Sequence, residues 1–376
     1  MLGIIIGVAA IISVLALGRA AEIEVGQSIG RLGTNLLFVR QSPGIPGERA
    51  LTMRDAEAIR RALPAVVRVA GQVSGPARIL AGRTKIDGLL RGVTPEYLQI
   101  SNLEILPESA VRSAFFQRRD QVILGRSLAE NLFEDDPAVG RRIRLNGVYM
   151  TVVGVASVAS AGVAGDPNDF ALVPLSTARQ RFGLGSRLSP DAVELLLISV
   201  RDEADLTVAS QEVGALLQKR SGRPEEEPEA YIITSTEDLT RATSAIIGVV
   251  QGVLSMIAAV SLLVGGIGIA NMMLVSVTER TAEIGLRKAL GAGNRDIHIQ
   301  FLVEGAVMCA IGGTAGVMLS WLLVSIVQAA MDLQAGLSLG HAGLGIVLAV
   351  AAGLAATWVP AQRAARLSPA DALRQE

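Results

Sequence analysis

In this 376-residue chain the long stretches Thr243–Thr278 and Gln334–Gln362 carry no charged side chain at all. Eighteen or more consecutive apolar residues without charge read as a membrane span, because every unpaired charge in hydrocarbon is costly. The whole chain is 18% charged and 50% hydrophobic, with a mean hydropathy of +0.46. Soluble domains carry about 25% charged residues. The deficit is therefore concentrated in particular segments, and the chain is expected to be an integral membrane protein.

Four apolar segments are expected to span: Met1–Leu17, Ala245–Val277, Ile299–Ala330 and Gly343–Val359, with Pro360 stopping or kinking the last. Ala245–Val277 as a helix is about 50 Å long against a hydrocarbon core of about 30 Å, so it must protrude. No basic residue precedes the first segment, which therefore reads as a retained helix in place of a cleaved signal. Its abrupt start reads as a beginning that lies upstream of Met1. The joint after the second span carries Arg280, Arg287, Lys288 and Arg295, and the tail carries Arg363, Arg366 and Arg374. Met331–His341 has no Lys or Arg. The positive-inside rule then places the joint and the C-terminus in the cytoplasm, and the long segment between spans one and two outside.

That outer segment alternates strand and helix patterns, as an α/β or α+β domain does. Thr52 followed by Asp55 predicts a capping box for a helix over Thr52–Ala62. Asn146-Gly147 between Ile143–Leu145 and Val148–Val155 predicts a type I′ hairpin. Strands are expected at Asn35–Arg40, Val66–Val73, Gln121–Leu124, Val193–Val200 and Tyr231–Thr234. Helices are expected at Arg126–Phe133, after Leu172–Pro174 with Ser176 as cap, and at Glu203–Lys219. Thr234 with Glu237 offers a capping box where the second spanning helix begins. The domains expected are 1–31 (first spanning helix and stalk), 32–234 (outer α/β core) and 235–376 (stalk, three spans and a cytoplasmic helix).

Composition excludes several chemistries. One cysteine (Cys309) and two histidines (His298, His341) leave no disulfide framework or zinc ribbon, and no Ser-His-Asp site in the polar middle of the chain. There is no G-x-x-x-x-G-K-[ST] loop for ATP. The balance of 34 basic and 35 acidic residues points to no nucleic-acid partner. Gly165–Asp169 and Glu225–Glu227 read as turn and loop chemistry, and Phe115-Phe116 beside Arg118-Arg119 as a buried aromatic anchor. No catalytic residue, metal ligand or bound cofactor is expected. Within the spans only Glu304 is ionisable, near the start of its helix where a carboxylate suits the dipole. Glycines abound there. Gly248 with Gly252, Gly312 with Gly316, and the group Gly265, Gly266 and Gly268 are expected to pack helices closely, within or between protomers.

The joint Ser276–Asp296 is the most informative stretch. Glu279, Glu283 and Arg287 fall at i, i+4 and i+8 on one helix face, with Ile284, Leu286 and Leu290 as apolar counterpart and Gly291 to Gly293 as the stop. The mixed charge favours docking to a protein partner over binding to anionic lipid.

From Asn271 to Ala292 (NMMLVSVTERTAEIGLRKALGA) the sequence resembles the MacB/FtsX-type ABC transporter permeases, and Pro360–Arg374 resembles their C-terminal signature. Leu2–Ala10 and Val139–Gly147 also fit the MacB type. The resemblance implies four transmembrane helices with a large extracytoplasmic α/β domain, the MacB-like periplasmic core, inserted between helices 1 and 2. It implies a multi-pass protein of the inner (plasma) membrane, as a homodimer or paired permease. A separate ABC ATPase carrying ATP and Mg would dock on Glu279, Arg280, Glu283, Ile284, Gly285, Leu286, Arg287, Lys288, Leu290 and Gly291. A membrane-fusion adaptor and outer-membrane channel complete such a pump. The function implied is mechanotransmission that exports antibiotics, peptides or other amphiphiles. The alternatives are an FtsX-like activator of a cell-wall hydrolase and a lipoprotein-release permease.

Overall fold

The computed structural model describes residues 1–32, 35–42, 49–107, 114–134, 136–157, 168–185, 189–222, 230–331 and 339–368. It divides into two compact units: Val25–Ala242, and Met1–Glu24 together with Thr243–Glu376.

The first unit is built on ten strands. β1 (Leu36–Gln41), β9 (Leu195–Val200) and β10 (Tyr231–Ser235) join the first half of β2 (Val66–Ala81) in an antiparallel sheet ordered β10-β1-β9-β2. The second half of β2 then opens a ring. It pairs with β3 (Thr84–Val93), which runs parallel to β8 (Phe170–Pro174). Next come β5 (Gln121–Gly125), β7 (Val148–Ser157) and β6 (Arg142–Leu145), and β6 returns to β2 at Ile79 and Leu80. β4 (Glu104–Leu106) pairs antiparallel with the far end of β7, on the edge that β6 holds at its start.

The Asn146-Gly147 signal is realised: both residues have positive φ, +44° and +92°, as a type I′ turn needs. Asn146 does more than turn the chain. Its Oδ1 accepts from the Arg78 backbone N–H at 2.7 Å, its Nδ2 donates to the Pro76 carbonyl at 3.2 Å, and its own N–H donates to the Arg78 carbonyl at 2.9 Å. One side chain thus staples the β6–β7 turn to β2 and helps close the ring.

Successive strand residues point to opposite faces, and the cores follow that rule. Leu37, Val69, Val122, Leu124, Ala171, Val173, Leu196 and Ile198 join one buried cluster, while Leu36, Ala70, Ile123, Leu172 and Leu197 join another. The near-continuous apolar reading of β8 and β9 is the signature of strands covered on both sides. Helices α2 (Met53–Ala62), α3 (Pro95–Ile100), α4 (Ala114–Gln117), α5 (Arg126–Phe133), α6 (Leu175–Phe182) and α7 (Leu206–Ser221) supply the cover.

The capping box of α2 forms as expected. Thr52 donates from its backbone N–H (3.0 Å) and hydroxyl (2.6 Å) to Asp55 Oδ2, and the buried Asp55 also takes Arg49 (3.2 Å) and Arg220 (2.8 Å) on its other oxygen. Phe115, wholly buried, is the expected anchor, with Phe116 edge-on at 4.9 Å.

Several local expectations are corrected. Ser176 does not cap α6; Pro174 holds the cap position, its fixed φ suiting the turn into a helix that starts at Leu175. The 203–219 helix starts at Leu206, after a 3₁₀ turn over Glu203–Asp205. Strand β9 begins at Leu195, and β2 runs eight residues past Val73 because ring partners hydrogen-bond its second half. The capping box before α8 uses Ser235 and Asp238, one residue on from Thr234 and Glu237. Ser235 donates from N–H and hydroxyl to Asp238 Oδ2, and Glu237 instead pairs with Arg241. Residues 165–167, 224–228 and 332–338, and Arg374, lie outside the described residues, so the readings made there are not described further.

Among the described residues four helices are long and apolar enough to cross a membrane: α1 (Leu2–Leu32), α8 (Thr236–Glu279), α10 (Asn294–Met331) and α11 (Leu339–Ala365). One precedes the α/β unit in the chain and three follow it. Pro360 does not stop α11, which continues to Ala365. The helix α9 (Thr281–Ala289) joins α8 to α10.

Candidate coupling helix and helix-packing seams

Glycine sets the polarity of the bundle. A Cβ on Gly3 would lie 2.6 Å from Gly265 Cα, and one on Gly265 would lie 2.7 Å from the Ile4 nitrogen; these backbones touch. Further along, Gly7 meets the Leu262 backbone and Gly18 meets the Gln251 amide, so α1 and α8 run antiparallel. On α10, Gly312 faces Ile4, Gly316 faces Ile5 and Val8, and Ser320 Oγ accepts from Ser13 Oγ at 3.1 Å, so α1 and α10 run parallel. Gly345 of α11 receives Ile12, and Gly266 approaches Ala356 Cβ at 3.6 Å.

A second seam joins α10 to α11 and was not singled out from the sequence. Gly305 faces Thr357, Cys309 faces Gly353 and Gly313 faces Ala349. Both sides repeat every four residues, which is the small-xxx-small spacing that lets membrane helices approach closely. That spacing was readable. It was obscured because the neighbouring pair Gly312 and Gly316 carries the same period one residue out of phase, toward α1.

Of the glycines expected to pack helices, Gly265, Gly266, Gly312 and Gly316 therefore meet other helices of this chain. Gly248, Gly252 and Gly268 have nothing within 4 Å of a would-be Cβ.

With these polarities, the start of α1 lies beside the middle of α8 and α10, at Gly265 and Gly312, while the end of α8, α9, the start of α10 and the end of α11 share one end of the bundle. There α9 has two distinct sides. Inward, Ile284 is 2% exposed and shares a cluster with Ile297, Phe301, Ala361 and Ala364; Gly285 is buried beside it. Outward, Leu286 is 54% and Leu290 80% exposed, and Glu283 and Gly291 are exposed too. The chain turns at Arg280 between α8 and α9, so Glu279, exposed at the end of α8, does not share a helix with Glu283 and Arg287 as the i, i+4, i+8 spacing implies. The apolar group Ile284, Leu286 and Leu290 thus splits between core and surface.

The charged residues of the joint are mostly engaged. Arg287 reaches Glu283 at 2.6 Å, the expected i,i+4 pair, and also Gln300 of α10 at 2.8 Å. Arg280, at the N-cap of α9, reaches Glu304 at 3.3 Å, so Glu304 has an ion-pair partner in addition to its place near a helix start. Lys288 turns toward the end of α11, its ammonium donating to the carbonyls of Ala365 and Leu367 at 2.7 Å each. Gly291, with φ +104°, follows the C-cap Leu290 and ends the helix in a conformation that glycine tolerates best. Among the described residues no group of three His, Cys, Asp or Glu side chains is placed to hold a metal ion.

Residues 1–216 match the family model described as MacB-like periplasmic core domain, and residues 255–369 match FtsX-like permease C-terminal. The macrolide export ATP-binding/permease protein MacB of Bdellovibrio bacteriovorus is 34% identical over 391 residues, a span covering all of this chain and 59% of that protein. Its counterpart in Hyphomonas neptunium is 35% identical over 388 residues, covering all of this chain and 58% of that one. The chain thus spans little more than half the length of these relatives. The periplasmic region of MacB from Actinobacillus actinomycetemcomitans matches with a TM-score of 0.44 at 18% identity, over 57% of this chain and 95% of that one.

Proposed function

Because this chain belongs to the MacB/FtsX-type ABC transporter permeases, we propose that it is the permease of an ATP-driven exporter in which α9 receives the stroke of an ABC ATPase. The observation that carries this reading is the outward side of α9: Leu286 and Leu290 exposed near Glu283, on a helix bolted to the bundle by its other side. An apolar anchor ringed by charge is the surface expected of a protein dock.

Orientation follows from charge. Arg280, Arg287, Lys288 and Arg295 lie in or beside the α8–α10 joint, and Arg363 and Arg366 close α11, a basic bias that supports a cytoplasmic place for this end of the bundle. α1 leaves and α8 arrives at the opposite end. In this reading the α/β unit is extracytoplasmic and inserted between the first two spans, in the inner (plasma) membrane.

The mechanism is mechanotransmission. ATP and Mg are bound and turned over on the ATPase; its closure displaces α9; the displacement passes through α1 and α8, whose 31 and 44 residues make helices longer than a bilayer requires. The helix-packing seams described pair Gly with Gly, Ala, Cys, Thr or aliphatic side chains, with Gln251 at one crossing, which suits packing and brings no Asp, Glu, Lys, Arg or His into them. Substrate is then handled on the outer side. The relatives' names point to macrolide export, and we extend the class to antibiotics, peptides and other amphiphiles. A homodimer or paired permease, an adaptor and an outer-membrane channel complete the assembly proposed. The exporter names of the relatives favour this over hydrolase activation.

The test is affinity purification of the tagged chain from its own membranes in mild detergent. We expect an ABC ATPase to be recovered with it, and the pair Leu286→Ser and Leu290→Ser to cut recovery by about tenfold or more, since two exposed apolar anchors are worth at least ~1.4 kcal/mol together. Undiminished recovery in that double variant would remove α9 as the dock.

A further inference from the structure

The end of α11 is completed by a residue from another helix. A helix leaves its last four carbonyls without intrahelical partners, and here nearly all can be accounted for. The Arg366 N–H donates to the carbonyls of Gln362 and Arg363, and the Leu367 N–H donates to that of Ala364. The carbonyl of Ala365, the last helical residue, and that of Leu367 just beyond it both accept from the Lys288 ammonium, at 2.7 Å each. Lys288 is half-buried, whereas Arg363 and Arg366, the cations that α11 itself brings to this end, are exposed. The cation facing the negative end of the α11 dipole from inside the protein is therefore supplied by α9.

The other attachments of α9 lead elsewhere. Arg280 holds Glu304 and Arg287 holds Gln300, both on α10. Ile284 lies in an apolar cluster that includes Phe301 of α10 and Ala361 and Ala364 of α11. Of the polar contacts described for α9, those of Lys288 alone reach α11. They are to backbone carbonyls, which no substitution in α11 removes.

We propose that Lys288 is a positioning residue: it clamps the C-terminal end of α11 to α9, so that α9 and that end move as one body. The functional weight of the clamp rests on the reading of α9 as the receiver of an ATPase stroke. Under that reading, the outer side of α9 takes the load and Lys288 hands part of it to α11, while Arg280 and Arg287 hand it to α10. Lysine suits this place because a four-carbon stem with a three-donor head spans the gap and serves two acceptors at once. A neutral side chain of equal length would fill the space and leave both carbonyls without their donor.

The experiment measures the distance distribution between nitroxide labels at Ala282→Cys and Arg363→Cys, both exposed, in the full chain in detergent with the buried Cys309 replaced by alanine. A narrow distribution is expected with Lys288, a broadened one with Lys288→Met, and a narrow one again with Lys288→Arg. Rescue by arginine separates a donor clamp from simple space filling. If Lys288→Met fails to yield folded protein, Lys288→Gln, which keeps one donor head without charge, is expected to broaden the distribution partly. An unchanged distribution in the methionine or glutamine variant overturns the proposal.

Recovery of the ATPase is followed on the same samples. Retained recovery with a broadened distribution supports the clamp. Lost recovery with an unchanged distribution overturns it and moves Lys288 to the docking side. If even the native chain recovers no ATPase, the coupling reading falls, and the distance data still decide the clamp.

Discussion

The α/β unit and the helix bundle are held together by opposite devices. In the α/β unit the buried side chains are large: Phe115, Phe170, Leu37, Ile79, Leu90 and Leu124 are all less than 2% exposed. In the bundle the closest meetings each put a glycine of one helix against a neighbour, whether glycine, alanine, cysteine, threonine, isoleucine or glutamine. The difference follows from solvent. In water, burying an apolar side chain is itself the driving force. In lipid the surroundings are as apolar as the side chain, so association comes from close packing and a few hydrogen bonds, and small residues permit both. The difference is one of degree, since Phe301, Ile4 and Ile12 are fully buried in the bundle and Gly92 meets Ala178 in the α/β unit: emptying weighs more on the first unit and filling more on the second.

That contrast can be broken by experiment. The largest effect is expected from emptying the first unit. Phe170→Ala, in the second of its two core clusters, should cost about 3–5 kcal/mol. Chemical denaturation of the purified chain followed by circular dichroism measures it, and a cost below that of a surface substitution would refute the two-cluster core. Next comes filling the second unit. Gly265→Leu forces carbon into the Gly3 and Ile4 backbone, where no side chain can yield. It should cost about 1–3 kcal/mol or more and appear as a lowered thermal midpoint of the detergent-solubilised chain. The smallest effect is expected at Gly248→Ala, which meets nothing within 4 Å and should stay within about 0.5 kcal/mol. A larger change there, accompanied by a change in oligomeric mass, would show that this face of α8 packs against a second protomer.

How much of this was readable in the sequence also divides along that line. The spanning helices were legible because an absence of charge over tens of residues has few other causes. The Asn146-Gly147 turn and the Thr52–Asp55 cap were legible because each is a local device whose partner lies within a few residues. The ring was not. β3 carries Lys85, Asp87 and Arg91 in an irregular pattern, and its strand character comes from β2 and β8, which are distant in sequence or joined only through a turn. The same holds for the capping shift from Thr234 to Ser235, where two overlapping motifs compete and the length of β10 decides.

On α9 the residues of the proposed site were identified, but not their division. Ile284, Leu286 and Leu290 read as one apolar group because a lone helix shows only its own periodicity. Which of them turns inward depends on where α10 and α11 lie. Lys288 read as one of the docking residues, and its inward reach stayed hidden because its acceptors are backbone carbonyls, which carry no sequence signal. The α10–α11 seam was hidden by a second glycine series at the same period.

The pairing of β1 with β10 has a mechanical consequence. β1 is the first strand after α1 and β10 the last before α8, and they are antiparallel neighbours, with Leu37 opposite Ser235. The chain therefore enters and leaves this strand pair at the same end. Prising α1 and α8 apart would load the pair as a zipper, one rung at a time, the mode in which a ladder of hydrogen bonds is weakest. A thrust shared by both helices puts no tension across the rungs. Under the coupling proposed for α9, the pair would act as a push-rod with a paired foot, suited to axial strokes common to both rods and first to give way to any that spreads them.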